Sequence, residues 1–225
     1  MSDSTLPSRS RPGAGPAVFV MLLVLAAFLR LAWVSADPTT RISWSNGIFT
    51  DPPVMVHAAR NHALFGEWIL DYNRDLWIFP LMNGLTRLAY AFTGPGRVPT
   101  VMVSALAGVL TVAAVAWALR RTLGNRAAVL GAALGATSYF LVMFSRIPIA
   151  ENVVAALLAT AAALCLGRGR WELAAAGALA VGATLFGKYH AVGALPGLVL
   201  FVALRPGRWP RLLAMVGGGT AVFLA

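Results

Sequence analysis

The stretch VPTVMVSALAGVLTVAAVAWAL, Val98 to Leu119, contains no charged residue. A helix needs about 20 residues to cross the roughly 30 Å hydrocarbon core of a bilayer, and this stretch is long enough. Over the whole chain 59% of residues are hydrophobic and 12% are charged, whereas about a quarter are charged in soluble domains. We therefore predict an all-α integral membrane protein, a multi-pass helical bundle in contact with the lipid bilayer.

Six other apolar stretches resemble this one. Because the first is long and has no convincing cleavage site after it, we interpret it as a helix rather than a signal peptide. The last is still apolar where the sequence stops, so we expect the chain to be the N-terminal, truncated part of a longer protein. Residues 1–16 are predicted to be a disordered cytoplasmic segment, and residues 17–225 one transmembrane domain. The predicted spans are Ala17 to Ser35, Val98 to Leu119, Arg126 to Phe144, Ile147 to Leu166, Glu172 to Phe186, Ala191 to Leu204, and Leu212 onward.

Arginines indicate the orientation of these spans. They occupy every second short connection, and the positive-inside rule places such connections, together with the N-terminus, in the cytoplasm. Residues 36–97 then form a large extracytoplasmic loop, with the turns FSRIPIAEN and FGKYHAVG on the same side. This also accounts for the net charge of +10 without a nucleic-acid partner. The topological arginines are Arg120, Arg121, Arg126, Arg168, Arg170, Arg205, Arg208 and Arg211.

The large loop contains the motif TDPP, which is typical of a helix start. Asp51 can cap free backbone N–H groups, and Pro52 is favourable in a first turn. The following residues predict an interfacial helix, with Val54, Met55, Ala58 and Phe65 on its apolar face and His57, Arg60 and Asn61 opposite. We interpret His62 as a packing residue. For Asp51 a capping role and a catalytic role both remain open.

The two outer turns contain the other candidate residues. Arg146 and Glu151 flank Pro148, and a carboxylate at the membrane boundary is costly unless it is paired. An Arg146–Glu151 ion pair is therefore the plain structural alternative to a functional role. Lys188 is the chain's only lysine. The structural alternative to a functional role for Lys188 is that its side chain only reaches from a helix end towards the lipid headgroups. Cys165, the single cysteine, excludes an intrachain disulfide and is interpreted as packing.

Together the three outer clusters suit the handling of a phosphorylated lipid at the membrane surface. Basic groups neutralise a phosphate, a carboxylate takes a proton from a hydroxyl, and two carboxylates can hold a divalent cation.

Several short motifs in this order resemble the GT-C membrane glycosyltransferases, and most closely the protein mannosyltransferase and aminoarabinose transferase group. They are FLRLAW, Asp51 ahead of AARN and FGEW, then SRIPIAEN and FGKYHAVGALPGLVL. The resemblance implies a bacterial plasma-membrane enzyme of the cell envelope. Such an enzyme transfers a sugar, with inversion, from a polyprenyl-phosphate carrier to a protein, lipid or glycan acceptor outside the membrane.

The resemblance also implies roles for individual residues. Asp51 resembles the catalytic loop aspartate, and Lys188 the residue that contacts the carrier phosphate, with Arg146 and Arg60 as further donor-binding residues. Glu151, together with Asp51, resembles the acids that bind a divalent metal cation. Many relatives have an acid pair where this chain has Asp51 followed by Pro52, which keeps a non-catalytic membrane protein of the same fold open as an alternative. A transporter or lipid flippase is a second alternative.

Overall fold

The computed structural model describes residues 15–36, 54–70, 75–167 and 169–225, and in these ranges the chain is helical and contains no strand. Asp51 therefore lies outside the described residues, as does most of the first part of the large loop. The α-helices are α1 (Gly15–Leu31), α2 (His57–Phe65), α3 (Asp75–Ile78), α4 (Pro80–Thr93), α5 (Arg97–Leu123), α6 (Asn125–Thr137), α7 (Tyr139–Ser145), α8 (Ala150–Cys165), α9 (Arg170–Gly182), α10 (Leu195–Ala203) and α11 (Arg208–Leu224).

The long helix α5 is the centre of the bundle. Its 27 residues correspond to about 40 Å at about 1.5 Å per residue, and α1, α6 and α8 all pack against it. It is the one described helix that is by itself both long and apolar enough to cross a membrane. Helices α6 and α7 pass the same test only as a pair. The prediction of seven spans therefore stays a prediction.

The predicted span from Arg126 to Phe144 is wrong in one respect, because it is not a single helix. The chain breaks at Ser138 with a bend of 59° between α6 and α7, and the Ser138 hydroxyl accepts a hydrogen bond from Leu141 at the start of α7. Serine is a favourable N-cap. Hydropathy did not reveal the break because both halves are apolar.

Buried Arg30 in the last turn of α1 stabilises this break. Its guanidinium donates to the Gly135 carbonyl at 2.9 Å, to the Ala136 carbonyl at 3.3 Å and to the Ser145 hydroxyl at 3.2 Å. The last carbonyls of a helix have no intrahelical partner, so the arginine satisfies groups that the break leaves free. On α5, Gly108 makes room for this contact, since a Cβ there would collide with Ser145 and Arg30.

Two further predicted spans also differ from the structure at their outer ends. Helix α9 ends at Gly182 and continues as a π-helix over Ala183–Gly187, where a regular span to Phe186 was predicted. Helix α10 begins at Leu195, after a 3₁₀ segment over Tyr189–Ala194. Irregular backbone at membrane depth is tolerated where it is buried in protein or lines a polar cavity. These breaks lie on both sides of Lys188.

The helices of the large loop form an outer layer on the bundle. Buried Met55 and Val56, next to α2, and Met82 in α4 pack with Ala150 and Val153 of α8. The predicted faces of α2 are only partly correct, because Phe65 is exposed and Asn61 is buried. The difference arises because α2 packs against α4, a contact that the helical wheel does not include. The interfacial location of α2 stays a prediction.

Helices α9 and α11 approach each other closely at glycines. A Cβ at Gly218 would collide with the Ala174 carbonyl, and one at Gly177 with the Met215 carbonyl. Small residues allow such approach, and packing of this kind drives helix association in lipid.

We therefore expect Gly218→Ala to lower the thermal midpoint of the purified protein in detergent, at a cost of about 1–3 kcal/mol. The matched control is Gly217→Ala, where a Cβ meets nothing within 4 Å, so unchanged or slightly higher stability is expected. Equal midpoints for the two variants would show that the α9–α11 contact is looser than described.

Candidate functional site

Lys188 and Glu151 form an ion pair where two predicted outer turns meet. The Lys188 ammonium donates a hydrogen bond to the Oε1 atom of Glu151. Glu151 lies in the first turn of α8, where a negative charge is favoured by the helix dipole. Lys188 has extended backbone directly after the π-helix and donates its N–H to the Ala183 carbonyl at 2.9 Å. The helix irregularity therefore turns the lysine towards α8.

The two side chains of the pair differ in exposure. The Glu151 side chain is 48% exposed and that of Lys188 18%. The Lys188 ammonium lies 5.6 Å from the ring centroid of buried Phe79, within the distance of a cation–π contact. Phe79 belongs to the outer layer and directly precedes α4. The lysine of the pair is thus packed against an aromatic ring, and its carboxylate partner is partly exposed.

Arg146 does not form the ion pair with Glu151 that was the structural alternative. Its guanidinium Nη1 donates to the carbonyls of Leu29 and Ala32 at 2.9 and 2.8 Å, at the C-terminal end of α1, and Glu151 pairs with Lys188 instead. A guanidinium has five donors in a fixed fork and is suited to several acceptors. Arg146 therefore joins α1 to the turn before α8, and its donor-binding role stays a prediction.

Arg60 lies apart from this pair in the described contacts. It is exposed on α2 and close enough to buried Tyr90 of α4 for its charge to act on the phenol. Burial raises the pKa of Tyr90, while its hydrogen bond with Thr100 and the charge of Arg60 act in the opposite direction. The structure brings Lys188 and Glu151 together but places Arg60 in the outer layer, so its binding role also stays a prediction.

His62 is a packing residue, as the sequence predicted. Its Nδ1 atom accepts a hydrogen bond from Arg87 at 2.7 Å, and its ring lies 4.3 Å from that of Trp68. The bond ties α2 to α4. His62 and Arg87 are 25 residues apart, a separation that matches no helical or strand periodicity. The sequence alone therefore did not predict their hydrogen bond.

The described residues do not fit a metal centre. They contain no group of three or more His, Cys, Asp or Glu side chains placed to hold an ion, and the carboxylate of Glu151 faces an ammonium group rather than a second acid. Asp51, the other predicted ligand, lies outside the described ranges. A divalent cation therefore stays a prediction.

Residues 80–225 match the family described as dolichyl-phosphate-mannose-protein mannosyltransferase. The matched part includes Arg146, Glu151 and Lys188 and leaves out Asp51 and Arg60. No curated protein and no solved structure matches the chain.

Proposed function

Because the chain belongs to the dolichyl-phosphate-mannose-protein mannosyltransferase family, we propose that it moves a sugar from a polyprenyl-phosphate carrier to an acceptor at the extracytoplasmic face of a membrane. Family membership makes it an integral membrane glycosyltransferase. Three finer features belong to the proposal: the polyprenyl-phosphate carrier, the extracytoplasmic face of the membrane, and inversion at the anomeric carbon of the sugar.

The Lys188–Glu151 pair is the observation that supports this proposal. A lysine ammonium is a compact charge that suits a phosphate, and here it is paired with one partly exposed carboxylate. A carrier phosphate can take the place of that carboxylate as the lysine's partner. Glu151 then acts as the counter-ion of the empty site and keeps Lys188 in position until the donor arrives.

Transfer in this site is a single displacement. Asp51 removes the proton from an acceptor hydroxyl, whose oxygen forms the new bond to the anomeric carbon. The bond from that carbon to the carrier phosphate breaks, and its electron pair stays on the phosphate oxygen. Lys188 stabilises the charge that develops there. Attack from the face opposite the leaving phosphate inverts the anomeric centre.

A lipid flippase is the second candidate, and the interrupted helices favour it, since broken helices are typical of transporter binding sites. Transporters, however, place such breaks and their charges near mid-membrane. The arginine pattern instead predicts the connections that contain Glu151 and Lys188 at the membrane surface, which favours chemistry there.

The function is tested by incubating membranes that contain the full-length protein with a panel of polyprenyl-phosphate sugars. We expect release of free polyprenyl phosphate together with a glycosylated acceptor for at least one donor. Movement of intact donor between leaflets without release would instead identify a flippase.

We also predict the orientation, with the N-terminus in the cytoplasm and residues 36–97 outside. Cysteines replacing exposed Glu67 and exposed Thr122, one at each end of the bundle, should react oppositely with an impermeant thiol reagent on intact cells. Buried Cys165 provides the low background. Labelling of Thr122→Cys from outside would overturn the orientation.

A further inference from the structure

At the end of the bundle opposite Lys188, a cavity of about 520 Å³ opens between α1, α5 and α6. Its apolar lining includes Phe19 and Val20 of α1, Ala113 and Trp117 of α5, and Val129 of α6. The volume is in the range of roughly 300–1,000 Å³ typical of sites for small molecules. Lys188, Glu151, Arg146 and Arg60 do not line it.

Arg120 and Asn125, both exposed, line this cavity where α5 ends and α6 begins. Thr160 of α8 also lines it, and its hydroxyl donates to the Ala156 carbonyl at 2.7 Å. The neighbouring arginine, Arg121, is bound by Glu172 at 2.7 Å, whereas Arg120 has no ion pair within the described ranges. The cavity therefore combines an apolar interior with one uncompensated positive charge at its edge.

We propose that this cavity binds an anionic phospholipid of the cytoplasmic leaflet. An acyl chain lies along α1 and α5, and the phosphate contacts Arg120 and Asn125. Basic pockets between transmembrane helices on the cytoplasmic side are suited to anionic headgroups. The charge selects the lipid, and the apolar lining holds its chain. The site is separate from the proposed transfer reaction at the opposite end.

The proposal is tested by titrating the purified full-length protein with phosphatidylglycerol or phosphatidylcholine that carries brominated acyl chains. Bromine quenches the fluorescence of nearby tryptophans. The contribution of Trp117 is the difference in quenching between the unmodified protein and the Trp117→Phe variant. We expect saturable quenching of Trp117 with a clear preference for phosphatidylglycerol. Arg120→Gln should weaken that apparent affinity about fivefold, which corresponds to about 1 kcal/mol.

Two further variants make the result decisive. Arg211→Gln removes a charge from the same side but outside the cavity and should keep the preference. Ala113→Phe fills the cavity and should abolish the quenching difference while leaving Arg120 in place. Equal quenching by both lipids, or loss of quenching on adding unbrominated polyprenyl phosphate, would overturn the proposal. The second result would assign the cavity to the donor's chain.

Discussion

Replacing Lys188 with alanine is expected to weaken binding of the polyprenyl-phosphate donor by about 10- to 100-fold, because hydrogen bonds to charged groups contribute about 1.5–3 kcal/mol. Lys188→Arg should restore binding partly, since the charge is kept but the compact ammonium is not. The measurement is a donor titration on the purified full-length protein, with Arg208→Ala, at the opposite end of the bundle, as the control.

The alternative for Lys188 makes a different prediction. A lysine that only reaches towards the headgroups would leave donor affinity unchanged in the alanine variant. A general loss of folding would lower the thermal midpoint as well as the affinity. An unchanged midpoint with weaker donor binding therefore identifies phosphate contact.

Replacing Asp51 with asparagine is expected to reduce turnover by about 10²- to 10⁴-fold, the usual contribution of a general base. Asparagine keeps a short side-chain acceptor, so a capping role would survive the change at little cost in stability. It cannot take a proton. Single-turnover transfer at saturating donor is the measurement, and the variant should be folded, bind donor and be nearly inactive.

Asp51 lies outside the described residues, so this test rests on the sequence and on the proposed function. Transfer close to the unmodified rate, in a protein shown to be active beforehand, would mean that Asp51 is only a cap. The catalytic base would then have to be sought elsewhere.

Part of the site could be predicted from the sequence because topology constrains it. Alternating arginines predicted that Glu151 and Lys188 lie on one side of the membrane, and the structure brings them into contact. Their pairing was not predicted, since 37 residues and two helices separate them and no periodicity links the two. Phe79 beneath the lysine was missed for the same reason: an aromatic residue in a loop has many possible partners.

The roles of the arginines were harder to predict than that of the lysine. From the sequence, Arg146 was a candidate partner of Glu151, whereas in the structure it donates hydrogen bonds to carbonyls at the end of α1. Arg30 donates in the same way to carbonyls at the break before α7. Such carbonyls become available only because helices end within apolar stretches. A hydropathy average does not show where a helix ends within an apolar stretch. The backbone carbonyls that accept these hydrogen bonds could therefore not be predicted from the sequence.

We assign carrier-phosphate binding to Lys188, with Glu151 as its counter-ion before the donor binds. The affinities of Glu151→Gln, Lys188→Ala and the double variant for polyprenyl phosphate test this assignment. Removing the carboxylate frees the ammonium, so Glu151→Gln should bind several-fold more tightly than the unmodified protein. Lys188→Ala should bind weakly, and the double variant equally weakly, because Glu151 acts only through Lys188. Affinities that are the same in all three variants and in the unmodified protein would contradict the account.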